Sequence, residues 1–319
     1  MTEDRKQKTE NRMQMLAIKV IGLFIALLYI TLPVYAQDKY TGITSANFLK
    51  LDVGARQAAM GGAFVGAGDD ANTINYNPAG LVQIGTISLT AMHNQWFQSI
   101  KYEYLGYAQK VWWGGIIGGS LVYFHMGDMQ GSRFSQGGGY EKAGDFTAWD
   151  SWLTFSYAHP LSDSLSIGTN LKIIYEKIES EDATTLAFDL GTFYKTPIDN
   201  LSFGLCLQNL GSGLKFIQDK SDLPMNLKGG ASVKLLDEHL LIALDVNKPI
   251  DNDVNLRLGL EYWLIDAFAL RVGYRTDLDI GSGFSGGAGL KIMNYEIDYG
   301  FAPYGKLGDT HRISISMKF

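Results

Sequence analysis

The sequence predicts an all-β protein, a 14-stranded antiparallel transmembrane β-barrel with an N-terminal hatch or plug segment. Three observations support this fold class. From Thr86 onward the chain divides into fourteen segments in which polar and apolar residues alternate, so that successive side chains point to opposite faces. The last segment, residues 310–319, alternates up to a terminal aromatic residue, Phe319. After residue 36 no apolar run approaches the length of a spanning helix, so an even number of strands would cross the membrane.

Residues 1–36 predict a signal peptide. An apolar run, residues 20–32, follows the basic residues Arg12 and Lys19 and leads to Ala36, a small residue suited to signal peptidase. The run is shorter than the roughly 20 residues that a membrane-spanning helix needs. We therefore predict cleavage after Ala36 and a mature chain that starts at Gln37.

Residues 37–85 fit no strand pattern and contain the densest motif of the chain, between Gly54 and Leu81. Glycine pairs suit tight backbone contacts, and an Asn-Pro step favours an extended or turned backbone. A 14-stranded lumen is wider than its own side chains can fill, so we expect residues 37–85 to form a hatch inside it. A flexible periplasmic tail is the alternative. The residues assigned to the hatch motif are Gly61, Gly62, Asp69, Asp70, Asn75, Asn77, Pro78 and Gly80.

Residues 86–319 are predicted to form the barrel. Its strands are residues 86–95, 100–110, 113–125, 149–159, 164–176, 184–195, 200–208, 225–234, 239–247, 254–263, 267–276, 283–291, 295–302 and 310–319. If both termini are periplasmic, the odd-numbered connections face outside and include the two longest, residues 126–148 and 209–224. The even-numbered connections are tight. Short periplasmic turns and long outer loops are the asymmetry expected of an outer-membrane barrel.

Alternation within the strands assigns the apolar face to lipid and the polar face to the lumen. The charged residues predicted to face the lumen are Asp189, Asp245, Arg257, Glu261, Arg271, Arg275, Glu296, Asp298, Arg312 and Lys318. Because both signs are present, mutual ion pairing is favoured over a charge-selective pore. The inward Gly259 is expected to tolerate replacement by serine. Cys206, the single cysteine, falls on the polar side of its strand and is interpreted as a small filler.

Composition narrows the classes of function. Without residues 1–36 the chain retains 22 Lys and Arg and 30 Asp and Glu, a net charge of −8, which argues against a nucleic-acid binder. Glycine (37 residues) and aromatic residues (12%) are abundant, whereas proline (7 residues) and charged residues (19%) are few. This balance is typical of strands whose apolar faces contact lipid and whose Tyr and Trp lie at the headgroups.

Two separated motifs resemble the PorV/PorQ family of outer-membrane proteins. The first is the Ala-Arg, Met-Gly-Gly-Ala-Phe-Val, Asp-Asp and Asn-Pro-Ala-Gly-Leu series within residues 54–81, and the second is the ending, residues 301–314. The resemblance spans the mature chain and implies a barrel similar to the long-chain fatty-acid transporter FadL, whose hatch also has an Asn-Pro-Ala element. It further implies a location in the outer membrane of a Gram-negative-type bacterium.

For function, the resemblance implies a non-enzymatic partner or shuttle in type IX-like protein secretion and surface attachment. The expected partners are outer-membrane lipid, secretion-system components, exported cargo proteins, and barrel-assembly machinery that reads Phe319 as an assembly signal. The rival hypothesis is a FadL-like outer-membrane transporter of hydrophobic small molecules, and a third is a structural barrel without a ligand. Fold alone does not decide between them.

No catalytic residue, cofactor site or metal site is predicted. Residues 281–286 match a dinucleotide-binding glycine pattern and residues 283–287 match a hydrolase nucleophile pattern, but both need a strand-turn-helix context. The five histidines are scattered across strand ends, which is no metal constellation. Asp69 and Asp70 are better explained as caps of a hatch turn than as cation ligands.

Overall fold

The computed structural model describes residues 42–277 and 281–319, so the predicted signal peptide and its cleavage site lie outside the described residues. Fourteen antiparallel strands form a closed barrel in the order β1-β18-β17-β16-β15-β14-β13-β12-β9-β8-β7-β6-β3-β2. The strands are β1 Ile87–Gln95, β2 Lys101–Lys110, β3 Ile116–His125, β4 Met129–Phe134, β5 Tyr140–Phe146, β6 Ala148–Pro160, β7 Leu165–Ile178, β8 Glu181–Lys195, β9 Leu201–Gly211, β10 Leu214–Phe216, β11 Asp219–Ser221, β12 Asn226–Leu235, β13 Leu240–Pro249, β14 Asn255–Ile265, β15 Phe268–Arg275, β16 Phe284–Ile292, β17 Tyr295–Pro303 and β18 Asp309–Lys318. The predicted fold class is confirmed.

Each predicted barrel strand coincides with an observed one to within a few residues at its ends. Two small hairpins were not predicted, β4–β5 and β10–β11, which lie in the two longest connections. Their side chains are mostly exposed on both faces, so no apolar periodicity marks them in the sequence. The glycine-rich residues 281–283 lead into strand β16 and not into a helix, which removes the context that both discounted glycine motifs require.

The two ends of the barrel differ. One end, here called the turn end, carries the short connections, such as the two residues between β16 and β17, and the seam where β1 begins and β18 ends. The opposite end, here called the loop end, carries the β4–β5 and β10–β11 hairpins. In outer-membrane barrels the turn end faces the periplasm.

The outer surface of the barrel is apolar. Outward side chains such as Val272, Ile297 and Ile313 are about half exposed, and they alternate with buried, mostly polar or glycine positions along their strands. Aromatic side chains lie near the loop end, where Trp149 packs on Tyr175 with ring centroids 4.9 Å apart. Exposed aromatic residues also lie at the turn end, among them Tyr295 and Phe319. An apolar band with aromatic residues near both ends is the surface that a lipid bilayer contacts. Within the described residues, no helix has the length and apolar character that crossing a membrane requires.

The N-terminal segment, residues 43–86, runs through the barrel lumen from the loop end to the turn end. At the loop end the backbone N–H of Ser45 donates to the carbonyl of Asp222 (2.9 Å). At the turn end the segment joins β1, where the N–H of Ile87 donates to the carbonyl of Phe319 (3.1 Å). The segment contains helix α1 (Ala55–Ala59) and 3₁₀ helices at Asn47–Lys50, Ala71–Asn75 and Pro78–Gln83. Nearly all of its residues from 52 to 81 are buried.

Candidate functional site in the lumen

The Asp-Asp and Asn-Pro elements of the hatch motif shape the N-terminal segment. Asp70 caps the helix Ala71–Asn75, accepting from the N–H of Asn72 (2.9 Å) and forming a capping box with Thr73. Asn77 caps the helix Pro78–Gln83, in which Pro78 occupies the first turn, and its amide also donates to the carbonyls of Val65 (3.1 Å) and Thr192 (2.9 Å). These residues therefore fix the path of the segment and its attachment to the wall.

Other residues of the motif serve close packing. Gly61 (φ 66°) and Gly62 (φ 76°) adopt left-handed backbone conformations that favour glycine. A Cβ atom on Gly80 would lie 2.9 Å from Cγ2 of Thr73, so Gly80 also packs closely. Asn75 forms a hydrogen bond to the wall, in which its amide donates to the Tyr104 hydroxyl (3.1 Å).

A belt of inward-facing wall glycines receives the N-terminal segment. A Cβ atom on Gly300 would lie 2.6 Å from the carbonyl oxygen of Ala55, and one on Gly259 would lie 2.7 Å from that of Met60. The glycines of this belt, one on each of eight strands, are Gly168, Gly191, Gly204, Gly230, Gly259, Gly273, Gly287 and Gly300. The belt lets the backbone of the segment lie directly against the wall.

The belt corrects one expectation. A serine at position 259 would collide with Met60, so the expectation that Gly259→Ser is mild was wrong. The sequence carries a signal for this belt, because glycines recur at inward positions of these eight strands.

An ionic network ties the segment to the wall toward the turn end. Arg56, on α1, donates to Glu261 (Nε–Oε2, 2.7 Å) and to Asp69 (Nη1–Oδ1, 2.5 Å). Glu261 also accepts from Arg271 (2.6 Å), and Arg271 is fully buried. Arg271 further contacts Asp298 (2.6 Å) and Glu296 (2.8 Å), and Lys318 lies 3.5 Å from Glu296 and 3.7 Å from Asp69. The arrangement is a structural ion-pair cluster around the helix.

A second ionic group lies toward the loop end. Asp52 of the segment accepts from Arg257 and Arg275, each at 2.6 Å. Asp277, just beyond β15, contacts the same two guanidinium groups at 3.0 and 2.5 Å. Burial alone would raise the pKa of Asp277, but the charges of Arg257 and Arg275 outweigh burial and hold that pKa well below its usual range.

The remaining lumen residues have mainly structural partners. Asp245 accepts from the backbone N–H groups of Phe64 (2.8 Å) and Val65 (3.0 Å), and Asp189 pairs with Lys172 (2.8 Å). Arg312 lies under the Trp96 ring, 5.3 Å from its centroid. Cys206 is buried at an inward position. Among the described residues, no group of three or more His, Cys, Asp or Glu could hold a metal ion.

A loop-end apolar cluster lies between the start of the N-terminal segment and one side of the wall. Phe48 stacks on Trp152 (centroids 5.3 Å apart), and Tyr102 packs edge-on against Phe124 (6.0 Å). The cluster consists of Ala46, Phe48, Val53, Met92, Tyr102, Tyr104, Val122, Phe124, Trp152, Ile174, Ala183, Ala187, Leu214 and Leu223. The segment contributes Ala46, Phe48 and Val53, and Phe48 in its first turn covers Trp152.

A polar latch holds this first turn in place. Asp251, in the β13–β14 connection, accepts from the Thr44 hydroxyl and the Lys50 ammonium, each at 2.5 Å. Burial alone would raise the pKa of Asp251, but the hydrogen bonds from Lys50 and Thr44 outweigh burial and hold it below its usual value. Beside the latch is a cavity of about 190 Å³ lined by Trp96, Asn226, Lys228 and Asn255, among others. Sequence reasoning missed the latch because it depends on contacts across 200 residues.

The fold is that of FadL-type barrels, a closed barrel of fourteen strands, and an N-terminal segment lies in the lumen of this chain. The chain belongs to the uncharacterised protein family UPF0164, whose sequence profile matches residues 33–288. No curated protein matches the sequence significantly. The similarity to FadL-type barrels is thus one of fold, and membership of the PorV/PorQ family is not shown.

Three solved structures illustrate the similarity. The toluene transporter TbuX of Ralstonia pickettii has a TM-score of 0.60 and 15% identity, with 84% of this chain and 98% of that chain covered. The toluene transporter TodX of Pseudomonas putida has a TM-score of 0.58 and 13% identity, with 83% and 96% covered. A Pseudomonas aeruginosa FadL homologue has a TM-score of 0.56 and 12% identity, with 84% and 98% covered.

Proposed function

We propose that the protein is a non-enzymatic outer-membrane transporter of small hydrophobic molecules, in which the N-terminal segment acts as a hatch that opens at the loop end. The observation that carries this proposal is the loop-end apolar cluster. In this cluster the Trp152 ring of the wall stacks on Phe48 of the segment, beside wall residues such as Tyr102.

Displacement of the first turn is energetically feasible for an apolar ligand. Exposing the buried Phe48 side chain costs about 1.5–3 kcal/mol. The turn that carries Phe48 precedes Asp52, so the ion pairs of Asp52 with Arg257 and Arg275 can stay intact. A hydrophobic molecule that occupies the same surface recovers much of that free energy, because it restores apolar contacts to Trp152. The segment beyond Gly54 keeps its ion pairs and its contacts with the glycine belt during this movement, so the hatch need not leave the barrel.

The names of TodX and TbuX describe transporters of toluene, and TodX a monoaromatic hydrocarbon channel. Toluene is therefore the probe for a first test. The chemistry of the cluster, aromatic rings with few polar groups, suits a ligand of this class.

A reversible crosslink tests the proposal. Ser45 and Asp222 form a backbone hydrogen bond of 2.9 Å, which places them close enough for an engineered disulfide. In a Cys206→Ala background, the Ser45→Cys/Asp222→Cys variant should take up labelled toluene into whole cells only after reduction. The two single-cysteine variants should take it up under both conditions. Equal uptake by the oxidised and reduced double variant would contradict an opening at the loop end.

A second candidate is the PorV/PorQ-type role, a partner or shuttle for exported proteins. It is favoured by the β4–β5 hairpin, whose tip carries two exposed aromatic residues, Phe134 (71% exposed) and Tyr140 (82%). Their rings pack edge-on at 5.9 Å and present an apolar surface at the loop end. Exposed aromatic residues of this kind are enriched where proteins bind one another.

The secretion role is tested by co-purification. Secreted or surface-attached proteins that co-purify with the wild type should no longer co-purify with the Phe134→Ser/Tyr140→Ser variant. The variant should still give the heat-modifiable band of a folded barrel. Exchange of Trp112 (92% exposed) for serine at the turn end is the matched control. If neither variant changes the co-purifying proteins, the hairpin is not a cargo contact.

A further inference from the structure

A polar cavity lies between the first turn of the N-terminal segment and the wall at the loop end. It is the cavity of about 190 Å³ beside the latch, and residues 49–52 form one side of it. Lys50 in this stretch is exposed, so the cavity is reached from the loop end. Amide and charged groups offer hydrogen bonds that a hydrocarbon cannot use, so the cavity suits a hydrophilic ligand. The amide residues that line it are Gln208, Asn209, Asn226, Asn252 and Asn255.

The acidic residues that line the cavity are already paired with cations. Asp52 and Asp277 share two guanidinium groups. Asp251 is held in the latch by the Lys50 ammonium. Lys228, which also lines the cavity, forms no ion pair with any residue that the structure describes. This cation is therefore left without a counter-ion inside the lumen.

Arg257 presents a second free donor near Lys228. Its two Nη atoms donate to Asp52 and Asp277, but its Nε–H is buried and has no hydrogen-bond partner among the described residues. The register places Lys228 level with Asn255, two strands across, and Arg257 is the next inward residue of that strand. Two cationic donors on neighbouring inward positions can hold one oxyanion, because charge-assisted hydrogen bonds are short and strong.

A further buried cation adds to the positive potential. Arg312 is 2% exposed, and its Nε and Nη2 atoms have no hydrogen-bond partner within the part of the chain that the structure describes. It packs on the ring of Trp96, which lines the cavity. Asp245, the cross-strand partner of Arg257, is engaged by two backbone N–H groups of the segment. Since buried charges need a partner, the unpaired cations favour a bound anion.

We propose that this cavity binds one small hydrophilic oxyanion of the phosphate class, between the Lys228 ammonium and the Arg257 Nε–H. The anion neutralises Lys228 and lies against residues 49–52 of the segment. The site is separate from the loop-end apolar cluster, and it does not depend on the transport of hydrophobic molecules.

Equilibrium dialysis with labelled inorganic phosphate tests the site in detergent-extracted protein, with chloride in excess to suppress unspecific binding. The wild type should bind one phosphate ion per chain. Lys228→Gln should weaken binding about tenfold or more, because a charge-assisted donor is lost. Lys220→Gln is the control, since Lys220 is an exposed lysine of the β10–β11 hairpin at the same end.

A charge-retaining variant separates a lost ligand from a damaged fold. Lys228→Arg keeps a cation at this position and should retain phosphate binding, even if Lys228→Gln assembles poorly. Heat-modifiability on gels confirms that each variant is folded before binding is compared. The proposal is overturned if the wild type binds no phosphate, or if Lys228→Gln and Lys220→Gln bind it with equal affinity.

Discussion

Gly273 of the barrel wall packs directly against Gly61 of the N-terminal segment, so closely that a Cβ atom on Gly273 would collide with the Gly61 nitrogen. The obstacle is backbone and not a flexible side chain. On the other side, a Cβ on Gly61 would lie 2.9 Å from the backbone of Tyr274. Both surfaces must lack side chains for the segment to dock, which explains why glycines occur in the hatch motif and in the wall.

Gly273→Ala should destabilise the docked segment. Overpacking at such a contact costs about 1–3 kcal/mol. The outward Gly286→Ala is the control, since a Cβ there would make only an ordinary contact of 3.6 Å. Urea unfolding in lipid vesicles measures both changes, and equal free energies of unfolding would contradict the tight contact.

Arg271→Gln should be strongly destabilising, because it leaves Glu261, Glu296 and Asp298 without their shared cation. Breaking a buried ion pair costs about 3–5 kcal/mol. Arg133→Gln provides the comparison, as its pair with Glu141 is exposed and such pairs contribute about 0–1 kcal/mol. A loss of similar size in both variants would show that the lumen network is not energetically coupled.

The Asp251 latch should respond to acid. Burial raises the pKa of Asp251, but the hydrogen bonds from Lys50 and Thr44 outweigh burial and hold the folded-state pKa below its usual value of 3.8. The contribution of the latch to stability is therefore present at neutral pH and is lost as pH falls below 3.8 toward the folded-state pKa. A cysteine at buried Ala46, in a Cys206→Ala background, reports opening of the latch through its reaction with 2,2′-dithiodipyridine, a reagent that reacts with thiols in acid as well as at pH 7. The Asp251→Asn variant should be labelled faster than the wild type at pH 7. Labelling of the wild type should become faster only in strong acid. Unchanged labelling in Asp251→Asn would exclude the latch.

Removal of residues 54–77 should raise single-channel conductance sharply in planar bilayers. These residues fill the lumen and contact the glycine belt, and a 14-stranded barrel without them has space for water. Wild-type conductance from a barrel that still folds would mean that the segment is not the plug.

Deletion of Phe319 should lower the yield of folded barrel. Its carbonyl accepts from the N–H groups of Thr86 and Ile87 at the seam, and its ring is half exposed on the outer surface. Heat-modifiability of membrane-extracted protein measures the yield. Phe268→Leu, an exposed aromatic residue of the same end, should have little effect on assembly.

The barrel strands could be predicted from sequence because their two faces meet lipid and a polar lumen, and alternation follows. The β4–β5 hairpin could not, since both of its faces meet water. Alternation identifies Arg271 and Asp298 as charged residues that face the lumen, but it does not identify their ion-pair partners. Arg56 and Asp52 lie on the segment, and their pairing with Glu261 and Arg257 depends on where the segment docks.

The passage of residues 43–86 from one end of the barrel to the other constrains how the protein is made. The first and last strands, β1 and β18, form the final seam, and the segment is joined covalently to β1. Residues near Thr44 must reach the loop end, and threading them through a finished, filled cylinder would break its interior contacts. We therefore expect assembly to be an encapsulation, in which the strands that carry the glycine belt, β7 to β9, β12 and β14 to β17, fold around the segment before the barrel is complete.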